Sequence, residues 1–294
     1  MPSSHWLPRR EELCDGRSEE YRKKPHRGGG IFFQWPGAGG RRVLLFAGRT
    51  AREILRDPLS FVFCLGVPLV MLVAMYALFS SMAPGGLFKL DSLTPGIAVF
   101  SGTFTMLYVT LLVSRDRTTW FLTRLYTSPM RNTDFVLGYA IPGILIGLCQ
   151  VVICYLTAMV AGLITGSTDW ISVRILPAIF CLLPVIVAYV FIGILFGSLF
   201  SDKAAPGLSS IVISAAGFLS GAWMPMETLS AGFRAFCAAL PFYAAVRGGR
   251  TVLSGAVLTV GGFWRDVLVC TAYAVGMIIL ACLAFRFHAR REAE

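Results

Sequence analysis

The stretch Ile175-Leu-Pro-Ala-Ile-Phe-Cys-Leu-Leu-Pro-Val-Ile-Val-Ala-Tyr-Val-Phe-Ile-Gly-Ile-Leu-Phe-Gly-Ser-Leu-Phe200 runs for 26 residues without a charged side chain. About 20 apolar residues in a helix cross a bilayer, so this stretch reads as a membrane span. Five more apolar runs of similar length lie at about 59–82, 95–114, 137–165, 206–224 and 267–285, and no Asp or Glu falls inside any of the six. The sixteen acidic residues sit in tails, loops or span ends. Ion-driven transporters carry their coupling ion on intramembrane carboxylates, so this pattern argues for a pathway powered from elsewhere.

Composition agrees. The chain has 294 residues, 56% hydrophobic and 14% charged, which leaves little for a soluble domain once six spans are set aside. Continuous apolar runs also exclude a β-barrel, whose strands alternate. The expected fold is an all-α membrane protein with six transmembrane helices. Residues 1–40 are rich in Gly, Pro and charge and predict a disordered cytosolic tail, not a signal peptide. Its Arg22-Lys23-Lys24 offers a contact to anionic lipid. Residues 58–286 form the membrane domain and 287–294 a second cytosolic tail.

Charge sets the orientation. With the N-terminus inside, segments 1–58, 115–136, 201–205 and 286–294 hold 20 of the 26 Lys and Arg. The positive-inside rule then predicts both termini in the cytosol. The net charge of +10 is this asymmetry, so nucleic acid is not an expected partner. Trp170, Trp223 and Trp264 fall near the outer surface, where an aromatic belt belongs.

Ahead of the first span, Val43, Phe46, Ala47, Ala51, Ile54 and Leu55 recur at helical spacing among Arg42, Arg49, Arg52 and Arg56. This predicts an amphipathic helix over 41–57 lying in the inner interface, ended by Asp57-Pro58. Of the eight cysteines, Cys64, Cys149, Cys154, Cys181, Cys270 and Cys282 fall within spans as apolar filler. Cys14 and Cys237 lie on opposite sides, and no CxxC or His/Cys cluster marks a metal site.

The loop between spans two and three reads Ser114-Arg-Asp-Arg-Thr-Thr-Trp-Phe-Leu-Thr-Arg-Leu-Tyr-Thr-Ser-Pro-Met130. Ser114 as an N-cap and Asp116 at the positive end of the dipole predict a short helix over about 115–130 that stops at Pro129. Periodicity alone lets that helix dock on a soluble partner or rest on lipid headgroups. Beyond it, Gly217-Phe-Leu-Ser-Gly-Ala-Trp-Met-Pro-Met-Glu227 closes span five, followed by Leu240-Pro241-Phe242-Tyr243 and Arg247.

These motifs, in this order, resemble the permease subunits of ABC exporters of the second type, over about residues 41–286. The loop pattern of that family is matched by Asp116-Arg117, Leu122, Leu125, Ser128-Pro129, Asp134 and Gly138-Tyr139, with departures at Trp120, Phe121 and Thr123. The resemblance implies a coupling helix seated in a nucleotide-binding subunit, carried here by Asp116, Arg117, Phe121, Arg124, Leu125, Ser128 and Pro129. It also implies an outer re-entrant helical hairpin at about 225–250, with Gly221, Pro225, Glu227, Pro241 and Arg247 as its gate.

No GxxxxGK[ST] loop occurs in the chain, so ATP and Mg are expected on a partner ABC ATPase subunit and no cofactor on this one. Six spans make a small bundle, so a second permease copy, identical or paralogous, is expected to complete the path, in the plasma or inner membrane. Gln150 and the hydroxyls of Ser101, Thr103, Thr105 and Thr110 are the main polar groups within the spans. Phe100, Phe104, Met106 and Tyr108 give span two a largely apolar wall. That wall suits a drug-like, lipid-like or glycoconjugate cargo. The alternative is a stand-alone secondary transporter or channel, which intramembrane acids or an internal repeat of three spans would favour. A lipid-modifying enzyme is disfavoured because His5, His26 and His288 all lie outside the spans.

Overall fold

The computed structural model describes residues 38–79, 89–118, 132–168, 171, 174–224, 226, 229–255 and 262–291. Among the described residues every regular element is a helix. In chain order these are α1 (Ala38–Arg56), α2 (Pro58–Phe79), α3 (Leu90–Thr118), α4 (Asn132–Thr165), α5 (Ile175–Cys181), α6 (Leu183–Leu199), α7 (Ala205–Leu219), α8 (Ala231–Ala238), α9 (Pro241–Ser254) and α10 (Gly262–Arg291). Among the described residues, four helical stretches are long and apolar enough to cross a membrane: Leu90–Arg117, Thr133–Thr165, Ile175–Leu199 and Gly262–Phe285. Cys64–Phe79 and Ala205–Leu219 are shorter apolar helices.

The helix α3 is the hub and packs against α2, α4, α6, α7 and α9. Its Leu93, Ile97, Met106 and Val113 are fully buried. It meets α6 along Gly193 and Gly197, one turn apart. A β-carbon on Gly193 would stand 2.6 Å from the Met106 carbonyl oxygen, and one on Gly197 2.8 Å from that of Thr110. Small residues let backbones close where lipid supplies no hydrophobic drive between helices, and this pair sets the α3–α6 seam.

A proline inside α2 explains a polar tie across the bundle. Pro68 has no N–H to give the carbonyl of Cys64, four residues earlier. Gln150 of α4 fills that place: its Nε2 donates to the Cys64 oxygen at 2.5 Å, while its Oε1 accepts from the Thr105 hydroxyl of α3 at 2.5 Å. One buried amide therefore ties α2, α3 and α4. The freed backbone acceptor makes the proline tolerable in an apolar setting.

The element boundaries differ from the hydropathy reading in three places. The run expected at 206–224 leaves the helix at Leu219, because Gly221 takes φ +69° and the Ser220 Oγ accepts from the Ala222 N–H at 3.3 Å. The run at 175–200 is interrupted at Leu182. The expected 95–114 extends to 90–118, since polar residues at both ends find partners in neighbouring helices.

Candidate functional site: two polar closures at the ends of α3

Ser92 and Asp116 lie near opposite ends of α3, about 36 Å apart at helical rise. Each end carries a closure built from charged side chains.

At the Thr118 end, α1 docks through Val43, Phe46, Ala47, Thr50 and Ile54, all buried. The Phe46 ring meets Tyr139 edge-on at 5.0 Å and Phe135 at 5.8 Å. It lies over Gly138, where any β-carbon would collide with the ring. The apolar stripe read as membrane-facing is thus turned onto the protein, while Leu55, read with it, is 69% exposed.

Docking brings Arg49 to Asp116. The Asp116 Oδ2 accepts from Tyr139 Oη at 2.7 Å and from Arg49 Nη1 at 3.1 Å, and the residue is 3% exposed. A carboxylate at a helix C-terminus faces the negative end of the dipole, so the guanidinium offsets both that and the loss of water. Arg49 also pairs with Glu53 at 2.8 Å, one turn along α1. Burial pushes the Glu53 carboxyl above its ordinary range, the Asp116 charge adds to the shift, and Arg49 and Arg115 oppose it.

Ser114 caps no helix N-terminus. It lies within α3, where its hydroxyl donates to the Leu111 carbonyl at 3.2 Å and to Asp202 Oδ1 at 3.0 Å. The helix expected to open at about 115 is, as far as Thr118, the last turn of α3. Asp116 and Arg117 therefore belong to the bundle. Arg117 donates through Nη1 to the Gly197 and Ser198 carbonyls, two of the groups that the end of α6 leaves without helical partners. Phe121, Arg124, Leu125, Ser128 and Pro129 lie outside the described residues.

At the Leu90 end, α9 packs against α3, α5 and α10. Arg247 makes a two-pronged pair with Asp266 of α10, Nε to Oδ2 at 2.7 Å and Nη2 to Oδ1. Its guanidinium also lies over the Tyr243 ring at 5.3 Å. The hydrogen bonds to Asp266 hold Arg247 above its usual range. One turn on, Arg250 donates to two backbone carbonyls: Nε to Ser92 O at 2.9 Å and Nη2 to Gly221 O at 3.1 Å. Burial lowers its affinity for the proton. Pro241 starts α9, and its carbonyl accepts from the Cys270 thiol at 3.6 Å. Gly221, Pro241 and Arg247 thus share one closure. Pro225 and Glu227 lie outside the described residues.

Sequence reasoning missed Arg49, Arg250 and Asp266 as partners. Arg49 and Arg52 look alike in composition, and only the docked face of α1 separates them. Arg247 and Arg250 stand three apart on one helix face, a usable signal. Among the described residues no cluster of three or more His, Cys, Asp or Glu could hold a metal ion. The groups at both ends are ion pairs, hydrogen bonds and ring contacts, suited to holding helices in register.

A family model described as ABC-2 type transporter matches residues 41–254, from α1 to the end of α9. No curated protein matches the chain.

Proposed function

The chain belongs to the ABC-2 type transporter family, and from that premise we propose that it forms half of the substrate path of an ATP-driven exporter. It is a transport permease and a multi-pass membrane protein of a family that normally works with an ABC ATPase. In our reading the ATPase is a separate subunit that carries ATP and Mg and seats on the loop of about 115–130. A second permease copy completes the path. The six apolar runs cross the plasma or inner membrane with both termini inside, α1 lies at the inner face, and α8 with α9 forms the outer re-entrant hairpin. The cargo is an amphipathic molecule of drug, lipid or glycoconjugate type.

The observation that carries this reading is the anchoring of both roots of the loop. Asp116, in the last turn of α3 where the loop begins, and Tyr139, in the opening turns of α4 beyond it, share a hydrogen bond and are locked by Arg49 and Phe46 of α1. A push on the loop then moves α1, α3 and α4 together, and α3 runs to the opposite closure.

The test is a mild-detergent capture of the tagged chain from its host, beside a variant scrambled across Trp120–Ser128. A nucleotide-binding subunit that accompanies the parent and leaves the variant is the expected result. An intact membrane-embedded chain that brings no ATPase in either sample overturns the reading in favour of a self-sufficient transporter or channel.

A further inference from the structure

The side of α1 that faces away from the bundle carries Arg41, Arg52 and Arg56 together with Leu44, Leu45 and Leu55, all exposed. The three leucines are 65%, 68% and 69% exposed. A helix whose other face is already docked has no structural need for three leucines on its open side, and their exposure to water is unfavourable. The arginines there form no ion pair with another described residue, whereas Arg49, one turn before Glu53, is spent on Asp116 and Glu53. Arg52 and Arg56 lie one helical turn apart and border, with Arg49 and Glu53, an open cleft of about 400 Å³. The three arginines and one glutamate around it leave a local charge of +2.

We propose that this face binds anionic phospholipid, with a headgroup phosphate held between Arg52 and Arg56 and the leucines set among the upper acyl chains. The proposal rests on the placement of α1 at the inner membrane face. Two features favour lipid over an acidic protein surface. Guanidinium forks match phosphate oxygens in pairs. Leucines interspersed with the arginines on the same face suit a boundary where apolar and anionic layers meet within a few ångströms. Because Arg49 is adjacent and bonded to Asp116, lipid bound here would bear on the root of the loop.

The experiment uses the full chain in lipid nanodiscs of phosphatidylcholine mixed with phosphatidylglycerol, with native mass spectrometry of the lipids that stay bound on release. The parent is expected to retain phosphatidylglycerol over phosphatidylcholine, with the preference falling as salt rises. R52Q/R56Q should lose that preference on the order of tenfold, and R52K/R56K should keep much of it through charge alone. Neither arginine forms an ion pair with another described residue, so both variants should fold; unchanged helicity and gel-filtration profile check this. A parent without headgroup preference, or an R52Q/R56Q chain that retains it in full, overturns the proposal. So does an R52Q/R56Q chain that keeps its lipid but no longer captures an ATPase, since the face would then be a protein dock. The lipid assay needs no ATPase, so failure of the capture experiment above leaves it standing.

Discussion

Two buried carboxylates close the two ends of α3, and they are held in different ways. Asp266 of α10 is gripped by one guanidinium in a two-pronged fork, from Arg247 of α9, nineteen residues earlier in the chain. Asp116 of α3 is shared between partners on two other elements: Tyr139 of α4 donates to it, and Arg49 of α1 reaches it at 3.1 Å while also serving Glu53. A fork fixes one geometry. A shared acceptor with a divided cation can trade one partner for another as helices shift. The α9 closure has the build of a fixed joint, and the α1 closure that of a joint able to move.

The largest expected effect tests the fixed joint. Asp266→Ala leaves Arg247 without its carboxylate, and removing one partner of a buried pair costs roughly 3–5 kcal/mol, reduced here because the Arg247 side chain is 30% exposed. The temperature at which the detergent-solubilised chain loses its monodisperse peak should fall clearly. R247M/D266L, which removes both charges, should recover much of that loss. If the single and double variants are equally unstable, the pair is not what joins α9 to α10.

The movable joint should respond differently. Asp116→Asn keeps an acceptor for the Tyr139 hydroxyl and loses the ionic half of the Arg49 contact, a cost of about 1 kcal/mol for an exposed guanidinium. Stability should change little while ATP-driven export falls, the reverse of the Asp266 result. Proteoliposomes containing the chain with its ATPase would measure both export and ATP hydrolysis. Normal export by Asp116→Asn would remove the closure from the coupling path and leave it as an ordinary helix clamp.

The contrast between the two joints was only half legible in the sequence. Hydropathy found the apolar runs because burial in lipid and burial in protein demand the same residues. It missed the ends of α3, where Asp91 to Thr94 fell outside the span and Ser114 to Thr118 read as the start of a separate short helix. Those residues stay helical because partners from elsewhere meet them: Arg250 reaches the Ser92 carbonyl, Tyr139 and Arg49 reach Asp116, and Asp202 takes the Ser114 hydroxyl. The period of α1 was legible, but not the direction of its apolar stripe, since Phe46 fits a lipid surface or a glycine slot equally well until Gly138 is placed beside it. Gly221 stood out as part of a motif, but its left-handed backbone, which ends α7 early, depends on φ and not on composition.

The smallest expected effect sharpens the reading of Arg49 as a divided cation. Glu53 has a raised carboxyl in the folded chain, through burial first and the Asp116 charge second. Its ionisation therefore opposes the folded arrangement. Below the ordinary value of 4.5 both folded and unfolded chains hold the proton and the opposition is absent. As pH rises from there through the folded value the unfolded chain ionises first, stability declines, and above the folded value the loss is complete. Glu53→Gln should flatten that decline relative to the parent across mildly acidic pH. The difference should be small because the Glu53 side chain is 38% exposed. Thermal-stability profiles of the two chains, compared point by point, cancel the titration of every other carboxylate. A variant that parallels the parent throughout would mean that Arg49 already neutralises Glu53 in full, and that the cation is less divided between Asp116 and Glu53 than the geometry implies.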